Sequence, residues 1–124
     1  MVKRLLRRLQ QRRNWWAWLA VVAMLAVAWG SLTPASGLPQ TLPWDKANHF
    51  MGYGVIAGLI HLAGLRASGA FWVAVIYGVT LEGLQMVVPG RLGGDPYDVL
   101  ANTLGAGSAI VLLNGVARWL SRAG

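Results

Sequence analysis

Four long apolar stretches alternate with short polar ones along the chain. Trp15 to Leu32 carries no charge, and a second run extends from about His49 to Leu65. A third, Ala70 to Val88, is broken by Glu82 and Gln85. A fourth, from about Tyr97 to Leu120, has Asp98 and Asn102 near its start. A helix needs roughly 20 residues to cross a hydrocarbon core of roughly 30 Å, so each run predicts a membrane span. The second is short and is expected to stand nearly upright or in a thinned region. The only other fold that spans lipid is a closed β-barrel, and alternating strands are missing from the pattern. The expected fold class is therefore all-α: an integral membrane bundle of four transmembrane helices. Residues 1–14 read as a basic tail, 15–120 as the membrane domain and 121–124 as a C-terminal tail.

Composition narrows the class. The 124 residues are 56% hydrophobic and only 12% charged. An average soluble domain has roughly 25% charged residues. A small water-soluble globule needs more charge to cover its surface, and a disordered chain needs far less apolar content. There is no cysteine, which removes disulfides, thiolate metal sites and a Cys nucleophile.

The net charge of +7 changes meaning once it is located. Lys3, Arg4, Arg7, Arg8, Arg12 and Arg13 supply six of the eleven positive charges. From Asn14 onward, five basic residues face four acids, so the body is nearly neutral. No basic patch remains to track nucleic acid. A basic stretch before an apolar run is instead a cytoplasmic anchor that also favours anionic lipid. With four spans, the basic residues divide nine to two between the two sides, which puts both termini in the cytoplasm. The tryptophans agree: Trp15, Trp16, Trp18, Trp72 and Trp119 fall near the inner ends, and Trp29 and Trp44 near the outer. The first span could alternatively be a signal peptide cleaved near Thr33-Pro34-Ala35. Its apolar stretch is longer than the usual one, so retention is preferred.

Small residues mark helix contacts. Gly54-x-x-x-Gly58, and the stripe Ala101, Gly105 and Ala109, permit close backbone approach. Gly93-Gly94 most simply shapes the outer loop.

Polar residues are gathered on the outer side. Asp45, His49 and Tyr53 stand at i, i+4 and i+8; Glu82 and Gln85 at i, i+3; Asp98 and Asn102 at i, i+4. Each set shares one helical face. A polar stripe facing lipid is costly, so the three stripes are expected to face one another. Counted from Pro89, Glu82 sits roughly 10 Å inside its helix end. Lys46, His49 and Arg91 are its candidate partners. Each residue also has a plain structural use. Glu82 can bridge helices; Gln85, Asn102 and Tyr53 can support neighbours by hydrogen bonds. Asp45 can cap the second span, and Asp95 or Asp98 the fourth, with Pro96 in its first turn. His61 lies at the inner end and reads as structural.

The segment Asp45-Lys46-Ala47-Asn48-His49-Phe50-Met51-Gly52-Tyr53 resembles the D-K-x-x-H-F-x-x-Y signature of the VanZ-like membrane protein family. Glu82 and Gln85, then Pro89 and Arg91, then Asp95, Asp98, Asn102 and Gly105 are similar to its second block. The resemblance covers residues 45–105 in the expected order. It implies a multi-pass protein of the bacterial inner membrane with a polar cluster at the outer face. The family takes its name from a protein that lowers susceptibility to teicoplanin, a glycopeptide. That is a phenotype rather than a reaction. The cluster carried over is Asp45, Lys46, His49, Tyr53, Glu82, Gln85, Arg91, Asp95, Asp98 and Asn102.

Three functions fit. The first is a lipid-binding cleft, in which Lys46, His49 and Arg91 hold an anionic headgroup from a membrane lipid or a polyprenyl-linked cell-wall precursor. The second is an acid–base enzyme acting on a lipid phosphate, with His49 working alongside Glu82 or Asp98. The third is an accessory subunit whose charged cluster latches helices together. No nucleophile or phosphate-loop motif is present. A His-plus-carboxylate metal site is conceivable, but only one histidine lies on the outer side and zinc usually takes more nitrogen or sulfur ligands, so no metal is expected; no cofactor is expected either. Homo-oligomerisation is compatible with all three.

Overall fold

The computed structural model describes residues 1–37 and 45–123, so Trp44 lies outside the described residues. Five α-helices follow one another: α1 (Val2–Gln11), α2 (Arg13–Leu32), α3 (Asp45–Leu62), α4 (Ala67–Gln85) and α5 (Pro96–Ala123). A short 3₁₀ turn, Ala35–Gly37, follows α2. The all-helical bundle expected from the apolar runs is what the chain builds. By length and composition, α2, α4 and α5 can each cross a membrane. The helix α3 is not among the three, because its first turns carry Asp45, Lys46, Asn48 and His49. It packs against all three of the others and occupies the middle of the bundle. Residues 2–11, within the stretch read as a tail, form the helix α1, whose basic residues Lys3, Arg4, Arg7 and Arg8 are exposed.

The ends of the helices follow from local chemistry. Helix α3 closes in a Schellman motif: the Leu65 amide donates to Ile60 and the Gly64 amide to His61. Gly64 has φ +113°, the left-handed backbone that such a cap needs. Helix α4 stops at Gln85, and Val88-Pro89-Gly90-Arg91 forms a turn closed by the Arg91 amide on the Val88 carbonyl. Proline second and a positive-φ glycine third (Gly90, φ 73°) are the residues of a type II turn. Asp95 then caps α5. Its Oδ1 accepts from the Tyr97 amide at 2.8 Å, with Pro96 as the first helical residue.

The core is built from small side chains. Ile56, Ala57, Ala70, Ala74, Ala106 and Ile110 form its buried cluster, flanked by Met24, Val27 and Phe71. The two small-residue stripes meet. A Cβ on Gly54 would lie 3.1 Å from the Gly105 carbonyl oxygen, and one on Gly105 only 2.0 Å from the Phe50 oxygen. Backbone therefore touches backbone along the α3–α5 seam, and this contact sets the spacing of everything at its end. Tyr77 ties α4 to α2 by donating its hydroxyl to the Met24 carbonyl. The large apolar side chains left over, among them Trp18, Leu25, Ile76 and Val111, point outward.

Candidate functional site

The beginnings of α3 and α5 and the end of α4 come together at one end of the bundle, here called the polar end. Lys46, on the first turn of α3, donates to Asp95 Oδ2 at 2.8 Å and also to Asp98 Oδ1. Asp98 is buried on α5, while Lys46 is half exposed. This ion pair joins α3 to α5 directly above the Gly54–Gly105 contact. Asp95 lies outside the spans. Its carboxyl is held below the ordinary value of 3.8, first by the hydrogen bond from Lys46 and then by that from the Tyr97 amide.

His49 is the centre of the cluster. Its Nδ1 donates to Asn102 Oδ1 at 2.9 Å. Its Nε2 then faces two carboxylates, Asp45 Oδ1 and Asp98 Oδ2, each 3.7 Å away. The Tyr53 ring, one turn further along α3, stacks parallel to the imidazole at a centroid distance of 6.5 Å. Asn102 is 2% exposed and its Nδ2 has no acceptor. Asp45, His49 and Asp98 offer ligand atoms that all lie within 4.8 Å of one another, so this trio could hold a cation. With one nitrogen and two carboxylates it is a poor set for zinc, and one oxygen of Asp98 already serves Lys46.

Three expected members are placed differently from the sequence reading. Glu82 is buried, but α4 ends three residues later at Gln85, so it lies in the last turn, about 4.5 Å from the helix end. The sequence count started at Pro89 and took the turn residues as helix. Glu82 also pairs with neither Lys46 nor Arg91. Its Oε2 accepts from the Gly94 amide at 3.1 Å, because the loop after α4 folds back over it. The carboxylates that meet His49 Nε2 are thus Asp45 and Asp98 rather than Glu82. Gln85 is buried, but its Nε2 donates to the Ser31 carbonyl of α2 at 2.9 Å, away from the histidine. Arg91 is half-buried in the loop between α4 and α5. Among the described residues it has no carboxylate within ion-pair distance.

Two glycines shape the site: Gly93, which the sequence marks as part of the outer loop, and Gly78, which no motif marks. Gly78 on α4 admits the site's wall: a Cβ there would lie 2.9 Å from both Asn102 Nδ2 and Tyr53. Gly93 lets the loop press on the end of α4, since its Cβ would be 2.4 Å from the Met86 amide nitrogen. Gly78 stands in no pattern with the polar residues, so no spacing rule points to it. His61, at the other end, donates from Nδ1 to Leu65 at 2.8 Å and meets the Asn114 side chain at 3.1 Å, a structural use.

An apolar groove of about 430 Å³ continues the same seam toward the membrane interior. Phe50, Met51, Val55 and Leu59 of α3 and Ser108 and Leu112 of α5 line it. Its first lining residue, Phe50, is one helical turn after Lys46 and next to His49 in the chain.

Apolar helices exposed on their flanks, with a charged cluster gathered at one end, define a small multi-helix membrane protein with a polar site at the end of its bundle. The family model described as VanZ/LLP1 matches residues 3–118, nearly the whole chain. The protein belongs to the VanZ/LLP1 family. No curated protein and no solved structure gives a match.

Proposed function

We propose that the polar end and the groove below it bind one amphiphile of the cell envelope, an anionic lipid or a polyprenyl-linked cell-wall precursor. The observation that carries this reading is their continuity. Charged and hydrogen-bonding groups sit directly above an apolar groove on the same α3–α5 seam. A headgroup belongs in the first and a hydrocarbon chain in the second. Lys46 is engaged by two aspartates and serves to hold α3 against α5. The anionic contact then falls to Arg91, which has no ion pair among the described residues and can take a phosphate in a bidentate fork. The carboxylates and Asn102 suit hydroxyl and amide donors on a larger head. Nine of the eleven basic residues belong to the opposite end and only Lys46 and Arg91 to this one, so the positive-inside rule favours a polar end that faces outward. A link to glycopeptide susceptibility follows if the bound lipid is the precursor those antibiotics recognise.

Native mass spectrometry of the protein taken from its own membrane tests the reading. A co-purifying lipid is expected in the wild type. It should be lost in Arg91→Ala and His49→Ala, both at normal membrane levels. Retention of the same lipid by both variants would sink it.

A second reading rests on a specific contact. His49 Nε2 lies between Asp45 and Asp98, with Asn102 setting the orientation of the ring, an arrangement suited to general acid–base work on a lipid phosphate. It requires turnover of a purified polyprenyl phosphate, abolished in His49→Ala and Asp98→Asn.

A further inference from the structure

We infer that the opposite, basic end of the bundle holds a second site, which binds the phosphate of an anionic phospholipid between Arg13 and Arg66. The two arginines line one cavity of about 430 Å³, where the start of α2, the α3–α4 turn and the last turns of α5 meet. The arginine at the start of α2 is built into its place. A Cβ on Gly64 would lie 3.2 Å from Arg13 Nε and 3.3 Å from its Cδ and Cζ, so the side chain lies across the bare glycine backbone. Arg66 flanks the same turn and precedes the first residue of α4.

Neither guanidinium has a counter-ion among the described residues. All four acids of the chain, Asp45, Glu82, Asp95 and Asp98, belong to the polar end. Among the described residues neither arginine forms an ion pair. The other polar groups of the cavity, His61 and Asn114, are bonded to each other. Two unpaired forks on one cavity call for an anion with several oxygens.

The rest of the lining decides what kind of anion. Leu62, Leu65, Leu113 and Val116 form apolar walls, and the cavity lies at the ends of the span-capable helices α2, α4 and α5. A phosphodiester there has its glycerol and first methylenes against leucine. A soluble phosphate would leave these walls unused. Helix α1 adds an exposed basic face beside the opening, with Leu9 on the cavity wall. Basic pockets between helices, on the side the positive residues mark as cytoplasmic, are where acidic headgroups bind. This site shares no residue with the polar cluster and does not depend on what that cluster binds.

The experiment titrates detergent-solubilised protein with phosphatidylglycerol, with phosphatidylcholine and with inorganic phosphate, and reads lipid adducts by native mass spectrometry. Phosphatidylglycerol adducts are expected to exceed phosphatidylcholine adducts. Arg13→Gln/Arg66→Gln should weaken them by about tenfold, the scale of one lost charge-assisted contact. Arg118→Gln/Arg122→Gln removes the same charge at the same end and should change them by less than about twofold. Equal loss in both pairs would reduce the effect to overall charge and overturn the site. So would equal binding of the two lipids, or displacement of phosphatidylglycerol by millimolar phosphate. Melting curves of each variant report folding. If the first pair does not fold, Arg66→Gln alone, on an exposed side chain, is read by the same criteria.

Discussion

Lys46 and Asp98 show how a single contact serves the whole site. Asp98 is 5% exposed, and a carboxylate so placed needs a partner. Lys46 reaches it from another helix while keeping contact with water. Lys46→Met should therefore destabilise the protein by about 1–3 kcal/mol, because Asp98 is left buried without its donor. Adding Asp98→Asn should recover part of that loss. A double-mutant cycle in the unfolding midpoint of reconstituted protein checks both steps, and purely additive losses would show that the two residues do not couple. Asp95 adds a pH dependence. Its folded value is depressed below 3.8, chiefly by Lys46. A depressed carboxyl stabilises the fold above its unfolded value and loses that contribution as pH falls through the folded one. Stability of the wild type should thus drop below about pH 4 more steeply than that of Asp95→Asn, measured by melting curves between pH 2 and pH 6.

At the scale of the element, the α3–α5 seam is the part of the fold with least slack. Gly105 meets the Phe50 carbonyl with no room for a methyl group. Gly105→Ala must push α3 away from α5, at a cost of about 1–3 kcal/mol, and it should loosen the Lys46–Asp98 and His49–Asn102 contacts above it. Gly115, on the same helix, has open space around it. Gly115→Ala should be neutral or stabilising by up to about 1 kcal/mol through helix propensity alone. Comparing the two by thermal unfolding in one detergent separates packing from propensity, and similar midpoints would refute the close contact. Much of the seam was legible beforehand. The four-residue spacing of Gly54 and Gly58, and of Ala101, Gly105 and Ala109, marks two flat helix faces. That these two faces choose each other was not legible, because small residues state only that something packs closely.

Across the whole molecule, charge is sorted by end. The basic residues of α1, Arg13, Arg66, Arg118 and Arg122 lie at one end, and every acid lies at the other. By the positive-inside rule this asymmetry predicts the orientation of the protein. A reporter fused after Gly124 should score as cytoplasmic. Replacing Lys3, Arg4, Arg7 and Arg8 with Gln should reduce that bias, since the excess of basic residues sets the orientation. A periplasmic score in the wild type would reverse the assignment of both sites. The outward-facing Trp18, Leu25, Ile76 and Val111 show why such a chain belongs in lipid: the bundle buries alanine and glycine inside and leaves its large side chains for the hydrocarbon.

The sequence by itself determined the all-helical class and where the apolar helices run, because apolar run length acts one segment at a time. It missed α1 within the basic tail, and it counted α3 as a span although the polar residues of its first turns leave it outside the three span-capable helices. It also determined which polar residues share a face, since helical spacing is a local property. His49 with Tyr53, and Asp98 with Asn102, could be grouped on that ground alone. Tertiary structure decided which of those faces meet and where each charge finds its partner. Glu82 turns to a loop amide, Gln85 to the α2 backbone, and Lys46 to two aspartates roughly fifty residues away. Those choices depend on where α4 stops and how its loop folds back through Gly90, Gly93 and Gly94. A turn that reverses the chain is a contact between distant backbone atoms, and periodicity along one helix carries no information about it.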